Sequence, residues 1–222
     1  IAPFLRRHYV ETGVLPGAQT LIWRRGRIVH NSVVGVADTI RKTAMAEDTI
    51  HRIYSMTKPV TSVAALMLLE EGAIALDDSV ARGLPEFAGL EVYAGSAAGD
   101  NQTKRGGFVT RPAARAMTVL DLMRHTSGLT YGFLQRTPVD AEYRRLRIGE
   151  PDMAGGLPAL IAALGTLPLE FSPGAAWNYS VSTDVLGRVI EVVCGQPLAQ
   201  FLHARILDPL GMTDTDFLVR SE

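Results

Sequence analysis

The spacing of hydrophobic residues changes character near residue 60. Residues 18–23 and 28–36 are rich in valine, isoleucine and leucine, and a polar stretch with one glycine, residues 24–27, lies between them. This pattern predicts a β-hairpin. Residues 60–70 are apolar on nearly every side and are followed by Gly72, which predicts a buried helix that ends at a glycine.

The rest of the chain predicts mainly helices and loops. Amphipathic spacing indicates a short helix at residues 4–12, and further helices near residues 118–124, 157–164, 181–193 and 198–206. Residues 93–112 contain four glycines and few apolar side chains, so we expect a long surface loop there. Because a lone hairpin is only marginally stable, we expect the remaining strands of its sheet to lie outside this sequence.

Composition indicates a folded protein without a dominant charge. The chain has 222 residues, 47% hydrophobic and 20% charged, which is enough for one sizeable core or two small ones. Its 22 basic and 23 acidic residues nearly cancel, so nucleic acid is not an expected partner. The longest apolar runs are about seven residues, against the roughly 20 that cross a bilayer, so no membrane-spanning segment is expected.

Little in the sequence fixes the cellular location. The first residues do not show the charged, then apolar, then small-residue pattern of an export signal, so location stays open with the cytoplasm favoured. The single Cys194 cannot form an internal disulfide, and we interpret it as a small buried side chain. The five histidines have no metal-ligand spacing, so no metal site is expected.

Ser55 and Lys58 form the first candidate pair for chemistry. Their spacing of three residues places both side chains on one face of a helical turn. Proline is best tolerated in the first turn of a helix, so Pro59 indicates that Ser55 stands at or just before a helix N-terminus. The amides and dipole at such an end favour a developing negative charge at the serine.

The choice of lysine at residue 58 adds to this interpretation. The chain contains 19 arginines and only three lysines. Arginine cannot give up its proton, whereas a lysine can act as a base, so this position suits proton transfer. A solvated lysine at a helix start is the alternative, and the spacing alone leaves both interpretations open.

Tyr179 is the second candidate, in residues 177–181 just before a predicted helix. A tyrosine at such a junction commonly serves packing, but a phenol near a lysine ammonium can also move a proton between a serine and a leaving group. His125 lies at a predicted helix end beside Thr126 and Ser127, so we expect a structural, hydrogen-bonded histidine there. The Gly-x-Ser-x-Gly motif of α/β-hydrolases is absent from the sequence.

Several segments together resemble one family. They are Leu15-Pro16-Gly17-Ala18, Tyr54-Ser55-Met56-Thr57-Lys58-Pro59, residues 72–78, His125-Thr126-Ser127-Gly128-Leu129, and Pro173-Gly174 with Asn178-Tyr179-Ser180. In this order they resemble the serine β-lactamase and penicillin-recognising superfamily, within it the class C β-lactamase-like branch, and most of all the family VIII carboxylesterases. The combination is more specific than any one motif and spans nearly the whole chain.

The resemblance implies a fold and a set of roles. The fold is an α/β hybrid of the β-lactamase/transpeptidase type, with an antiparallel sheet flanked by helices and joined to a mostly helical domain. Ser55 would be acylated, Lys58 and Tyr179 would act together as base and acid, and the Ser55 backbone amide would be one oxyanion donor. The second donor and the C-terminal strands of the sheet are expected beyond this sequence, because the family pattern continues past it.

The resemblance also implies domain boundaries. Residues 1–54 would contribute an N-terminal helix and hairpin to the α/β domain. Residues 55–210 would form the mostly helical domain that carries both motifs. Residues 211–222 would begin the return to the α/β domain.

The third residue of the tyrosine motif bears on the substrate. In the true class C β-lactamases of the family that this chain resembles, the motif reads Tyr-x-Asn, and the asparagine amide forms a hydrogen bond with the substrate. This chain has Val181 at the third position, and an apolar valine cannot form that bond. This difference looks more like the esterases and related acyltransferases, and so does the run Gly128-Leu129-Thr130-Tyr131-Gly132. The resemblance therefore makes Tyr131 and Val181 candidates for the substrate pocket. The resemblance therefore implies a carboxylesterase that acts on small-molecule esters of short acyl chains. No cofactor is expected, because a serine, a lysine and a tyrosine suffice for acyl transfer.

Other functions stay open at this point. A β-lactamase or D-amino-acid peptidase would share the acylation step, and so would an acyltransferase that passes the acyl group to an alcohol. A penicillin-binding-like sensing module, in which the acyl group is never released, is the non-enzymatic alternative. Acyl-chain length, stereochemistry and oligomeric state do not follow from the sequence.

Overall fold

Two compact units make up the chain in a computed structural model that describes residues 1–96, 107–150 and 153–218. The first unit is Ile1–Ile53 and the second is Tyr54–Glu222. The described part of the predicted third segment, residues 211–218, belongs to the second unit.

The first unit is built around an antiparallel hairpin. Its elements are α1 (Ala2–Leu5), a π-helical turn (Arg6–Val10), β1 (Gly17–Arg24), β2 (Arg27–Asp38) and β3 (Thr43–Ala44). Strand β2 pairs with β1 on one side and with β3 on the other. The two linking residues, Arg25 and Gly26, have positive φ angles of 50° and 77°, as a type I′ turn requires. The predicted hairpin and its glycine turn are confirmed.

The second unit is mostly helical. Its elements are α2 (Thr57–Glu70), β4 (Glu91–Ser96), β5 (Phe108–Pro112), α3 (Val119–Arg124), α4 (Pro138–Arg145), α5 (Gly156–Leu164), α6 (Ser182–Cys194) and α7 (Leu198–Leu202), which continues as a π-helical turn (His203–Leu207). Helix α6 packs against α2, α3, α5 and α7, and therefore forms the centre of the helical core. Fully buried side chains of this core include Leu122, Leu129, Ile161, Leu186, Ile190 and Phe201.

Helix α2 begins earlier and is less buried than expected. It starts at Thr57 rather than near residue 60, with Pro59 in its first turn. Ala64, Ala65 and Leu68 face the core, but Val63 and Leu66 are exposed by 47% and 42%. The prediction of a helix buried on nearly every side is therefore wrong for one of its faces.

The prediction of a surface loop at residues 93–112 is wrong for those of its residues that the structure describes. Strands β4 and β5 pair antiparallel there, from Glu91 opposite Pro112 to Ser96 opposite Phe108, while residues 97–106 lie outside the described residues. The hairpin is held by long-range contacts, because the Tyr93 amide donates to the Leu169 carbonyl at 2.8 Å. A local pattern does not contain that contact.

Helix α4 was not predicted, because it has few apolar residues. Its sequence signal is a capping box: Thr137 and Asp140 bond each other's backbone amides, and Pro138 occupies the first turn. Val139 and Tyr143, four residues apart, are its buried apolar side chains, and the capping residue Asp140 is buried with them.

In the three described ranges, no single helix has both the length and the apolar composition to cross a bilayer. Helix α6 and the segment Leu198–Leu207 reach that length and apolar composition only when they are taken together, and this pair is bent by 79°.

Asp121 is a buried carboxylate that connects α3 to the segments beside it. It is 3% exposed and accepts hydrogen bonds from Arg115, Thr118 and Thr126 at 2.6–3.0 Å. Burial alone would raise the pKa of this carboxyl, but the hydrogen bonds outweigh burial and lower the pKa from 3.8 to about 2. The ionised form is therefore the one that the fold stabilises.

We expect this carboxylate to make stability depend on pH in the acid range. A group whose pKa is lower in the folded state stabilises the fold fully above its unfolded pKa, and this contribution disappears as the pH falls from about 4 to about 2. The loss corresponds to about 2 kcal/mol. Urea unfolding across this pH range should show it in the wild type and in Asp77→Asn, a change at an exposed aspartate. Asp121→Asn should lack this component, and an unchanged acid dependence in that variant would contradict the assignment.

Candidate active site

Ser55 and Lys58 lie at the start of α2, as the spacing predicts. Ser55 is in a 3₁₀ turn, Tyr54–Met56, that runs directly into the helix, and Lys58 is the second residue of the helix. Lys58 Nζ lies 3.1 Å from Ser55 Oγ. Tyr54, just before the serine, has a positive φ of 44°, an unusual conformation for a side chain of this size that turns the backbone sharply at the exposed serine.

Tyr179 reaches the same place from the loop before α6. Its hydroxyl hydrogen-bonds to Ser55 Oγ, although the two residues are 124 positions apart in the chain. The neighbouring Asn178 fixes this loop: its backbone amide donates to the His125 carbonyl at 2.9 Å, and its side-chain amide donates to the Leu129 carbonyl at 3.1 Å. The structure thus brings Ser55, Lys58 and Tyr179 into one cluster.

The charge of Lys58 acts on Tyr179. Lys58 Nζ lies 4.7 Å from the centre of the Tyr179 ring. Burial alone would raise the pKa of the phenol, but hydrogen bonds with Lys58 and Ser55 and the charge of Lys58 together lower that pKa below its ordinary value. Tyr179 therefore gives up its proton more readily than a free tyrosine, as a group that exchanges protons with a serine requires.

Tyr131 lies on the other side of Lys58. Its hydroxyl accepts a hydrogen bond from Lys58 Nζ at 3.1 Å, and its ring lies 5.2 Å from that of Tyr179. Burial raises the pKa of Tyr131, and the negative charge of Asp184 adds to that increase. Tyr131 therefore keeps its proton under conditions in which Tyr179 loses one.

Asp184 is a site residue that the sequence analysis did not identify. It lies in the first turn of α6, and its negative charge acts on Tyr131. Burial raises the pKa of Asp184, while the positive charge of Lys58 opposes that rise. An acidic residue in the first turn of a strongly amphipathic helix was the available signal, but this pattern is also typical of ordinary helix starts.

His125 has the structural role that its position predicts. It ends α3 in the left-handed conformation, with a φ of 56°, and its Nδ1 lies 3.2 Å from Ser180 Oγ. Burial and the nearby charge of Lys58 lower the pKa of the imidazole. Its ring packs 5.1 Å from that of Tyr179, so it supports the tyrosine and forms no described hydrogen bond with Ser55.

Val181 is not placed as expected. It has no exposed surface and packs in the hydrophobic core at the start of α6, so its side chain does not line the site. The apolar surface beside Ser55 comes instead from other residues. Exposed side chains of the same unit that provide it are Met56, Phe133 and Trp177, with Phe133 stacked on Tyr131 and Trp177 packed edge-on against His125.

The position of Ser55 also bears on the binding of an oxyanion. Because Ser55 lies in a turn that leads into α2, its backbone amide is among the N–H groups that lack a partner inside a helix, which suits an oxyanion donor.

Across the described ranges, no group of three or more histidine, cysteine, aspartate or glutamate side chains is arranged to hold a metal ion.

A family assignment follows from comparison with known proteins. The Beta-lactamase family model matches residues 5–222, and the chain belongs to that family. Its fold is accordingly of the β-lactamase/transpeptidase type, as the sequence analysis predicted.

Individual relatives agree with this assignment. Protein Rv1367c of Mycobacterium tuberculosis is 39% identical over 217 residues, which cover 97% of this chain and 51% of the relative. Esterase EstB of Burkholderia gladioli is 36% identical over 206 residues, covering 92% and 47%. The solved structure of EstCE1, described as a hydrolase with promiscuous acyltransferase activity, superimposes with a TM-score of 0.76 at 30% identity, covering 93% and 50%. The chain thus spans about half the length of the curated relatives it matches.

Proposed function

We propose that this protein is a serine hydrolase that cleaves small-molecule carboxylic esters of short acyl chains through an acyl-Ser55 intermediate. The observation that carries the proposal is the cluster in which Ser55 Oγ contacts both the Tyr179 hydroxyl and Lys58 Nζ. A serine needs a base within hydrogen-bond reach to become a nucleophile, and this serine has two such groups.

The reaction would have two halves. In the first, Ser55 Oγ attacks the ester carbonyl while its proton passes to the Lys58 and Tyr179 pair, and the Ser55 amide stabilises the oxyanion. Tyr179 then gives a proton to the departing alcohol, which leaves acyl-Ser55. In the second half, water loses a proton to the same pair and attacks the acyl carbon, which releases the acid and returns the proton to Ser55.

The surroundings of the cluster support an ester substrate. Trp177 and Phe133, in the same unit as Ser55, are 68% and 63% exposed and offer apolar surface to an acyl or alcohol group. EstB, a relative named as an esterase, is 36% identical to this chain. The exposed aromatic side chains favour an apolar substrate, and the name of the relative favours an ester.

Transfer of the acyl group to an alcohol is the second candidate. It shares the acylation step and differs only in what attacks acyl-Ser55. Support for it comes from EstCE1, whose description includes promiscuous acyltransferase activity. Competition between water and an added alcohol distinguishes the two functions.

The test uses the purified full-length protein with p-nitrophenyl acetate, butyrate and octanoate, with and without added 1-butanol. We expect many turnovers, faster with the two shorter esters, and free acid as the main product. A butyl ester as the main product would favour the acyltransferase. A single equivalent of p-nitrophenol without further turnover would contradict both functions and favour a sensing module.

A further inference from the structure

The residue before Tyr179 is held at both ends of its side-chain amide. Asn178 is buried, with 4% of its surface exposed. Its Oδ1 accepts a hydrogen bond from the Arg136 guanidinium. Its Nδ2 donates to Glu170 Oε2 at 2.8 Å and to the Leu129 carbonyl at 3.1 Å. A side-chain amide has one oxygen acceptor and two N–H donors, so each of these groups has a partner.

The charged partners of Asn178 allow only one orientation of its amide. An arginine side chain only donates hydrogen bonds, and a carboxylate only accepts them. If the amide were turned over, its N–H₂ group would face Arg136 and its oxygen would face Glu170, so neither hydrogen bond could form. Because hydrogen bonds to charged groups are stronger than those between neutral groups, this orientation is firmly held.

Both charged partners are connected to the start of α4. Arg136 precedes this helix, and its backbone amide donates to Asp140 Oδ2 at 2.5 Å. Thr137, the N-cap residue, donates through Oγ1 to Glu170 Oε1 at 2.6 Å. Asp140 has no exposed surface, so the start of α4 is anchored in the core. Two consecutive residues of this anchored segment therefore reach Asn178, one directly and one through Glu170.

The position of Asn178 is passed on to the next residue. A peptide bond is planar and holds consecutive Cα atoms about 3.8 Å apart, so a displacement of Asn178 also displaces Tyr179. The Tyr179 hydroxyl hydrogen-bonds to Ser55 Oγ. A misplacement of about 1 Å between reacting groups can lower a rate by about 100-fold, so the reaction would be sensitive to how Asn178 is held.

We propose that Arg136 and Glu170 are positioning residues for Tyr179. They hold Asn178 from the start of α4, and the tyrosine hydroxyl is thereby kept against Ser55. The inference rests on the proposed function, in which that hydroxyl transfers protons, and it names residues that control its geometry. Neither Arg136 nor Glu170 forms or breaks a covalent bond in the reaction.

The first variant to test is Arg136→Met in the full-length protein. Arg136 is exposed, so its replacement leaves the core intact, and methionine cannot donate a hydrogen bond to Asn178. We expect kcat for p-nitrophenyl acetate to fall by about 10- to 100-fold, while KM stays within about twofold. Arg136→Lys keeps a charged donor and should recover most of the lost rate. Arg145→Met, a change at an exposed arginine of α4 that pairs with Glu142, should leave kcat unchanged.

Glu170→Ala is the second variant, and it removes the other charged partner of Asn178. It should also lower kcat with little change in KM. Glu170→Gln keeps an oxygen that can accept from Asn178, so it should be faster than Glu170→Ala. If Arg136→Met and Glu170→Ala both kept the wild-type kcat, the inference would be overturned.

Titration of the Tyr179 phenol separates positioning from a purely structural role. Burial raises the pKa of this phenol, but its contacts with Lys58 and Ser55 outweigh burial and hold the pKa below its ordinary value. A tyrosine that has moved away from both groups should titrate closer to that ordinary value. Loss of the Glu170 charge by itself would lower the pKa of Tyr179, so a higher pKa in Glu170→Ala would come from displacement of the phenol.

The measurement is an NMR titration of the full-length protein with ¹³C-labelled tyrosine, in which Tyr179→Phe assigns the signal. We expect a higher pKa of Tyr179 in Glu170→Ala than in the wild type. An unchanged or lower pKa, with or without a lower melting temperature, would show a structural role only and overturn the inference. Because the titration needs no ester turnover, it is separate from the proposed function. If the wild type hydrolysed no ester, that function would fail, whereas a raised pKa in Glu170→Ala would still support the positioning role.

Discussion

The Ser55→Ala variant is expected to lose ester hydrolysis, with kcat lower by at least about 10³-fold. Alanine removes the oxygen that would form the acyl bond, and neither Lys58 nor Tyr179 can replace it as the nucleophile without a new geometry. The same variant should gain no mass when it is treated with a fluorophosphonate, whereas the wild type should gain one adduct. Both quantities are measured on the purified full-length protein by steady-state kinetics and intact mass spectrometry.

A second serine, in the helix that follows Ser55, provides the control. Ser62 lies in α2, one turn beyond Lys58, and Ser62→Ala should keep both the turnover and the single adduct. The adduct of the wild type should map to a peptide that contains Ser55. Substantial turnover in Ser55→Ala, or an adduct on another residue, would show that the nucleophile is a different group.

The parts of the fold that the sequence predicted well are those with local signals. The hairpin of β1 and β2 has alternating residues and a two-residue turn, and α6 has a strongly amphipathic pattern with Gly195 after its end. Each of these features is contained within one short, continuous segment of the chain, so it can be recognised without knowledge of the partner elements.

The parts that were missed depend on contacts between distant residues. Strand β4 is supported by Leu169, which lies far along the chain and is not visible in the pattern around residue 93. Val181 was interpreted from a family motif as a pocket residue, but packing of α6 turns it into the core. In both cases tertiary packing decides the outcome, and a single sequence does not contain that information.

The candidate site shows the same division. The pair at the start of α2 follows from a three-residue spacing, whereas the family resemblance was needed to join Tyr179 to it across 124 residues. Lys58 and Tyr131 are 73 residues apart, and no motif indicates that the Tyr131 hydroxyl accepts a hydrogen bond from Lys58. The roles of these residues stay predictions, because the structure establishes their proximity and not their chemistry.

Lys58→Arg is expected to have the second-largest effect, a loss of about 10²- to 10⁴-fold in kcat with a smaller change in KM. Arginine keeps the positive charge but cannot give up its proton, so the variant separates the charge of Lys58 from its action as a base. Lys42→Arg, the same change at an exposed lysine, should keep the wild-type rate. If Lys58→Arg kept most of its activity, the charge alone would suffice, and Tyr179 would be the base without Lys58 accepting a proton.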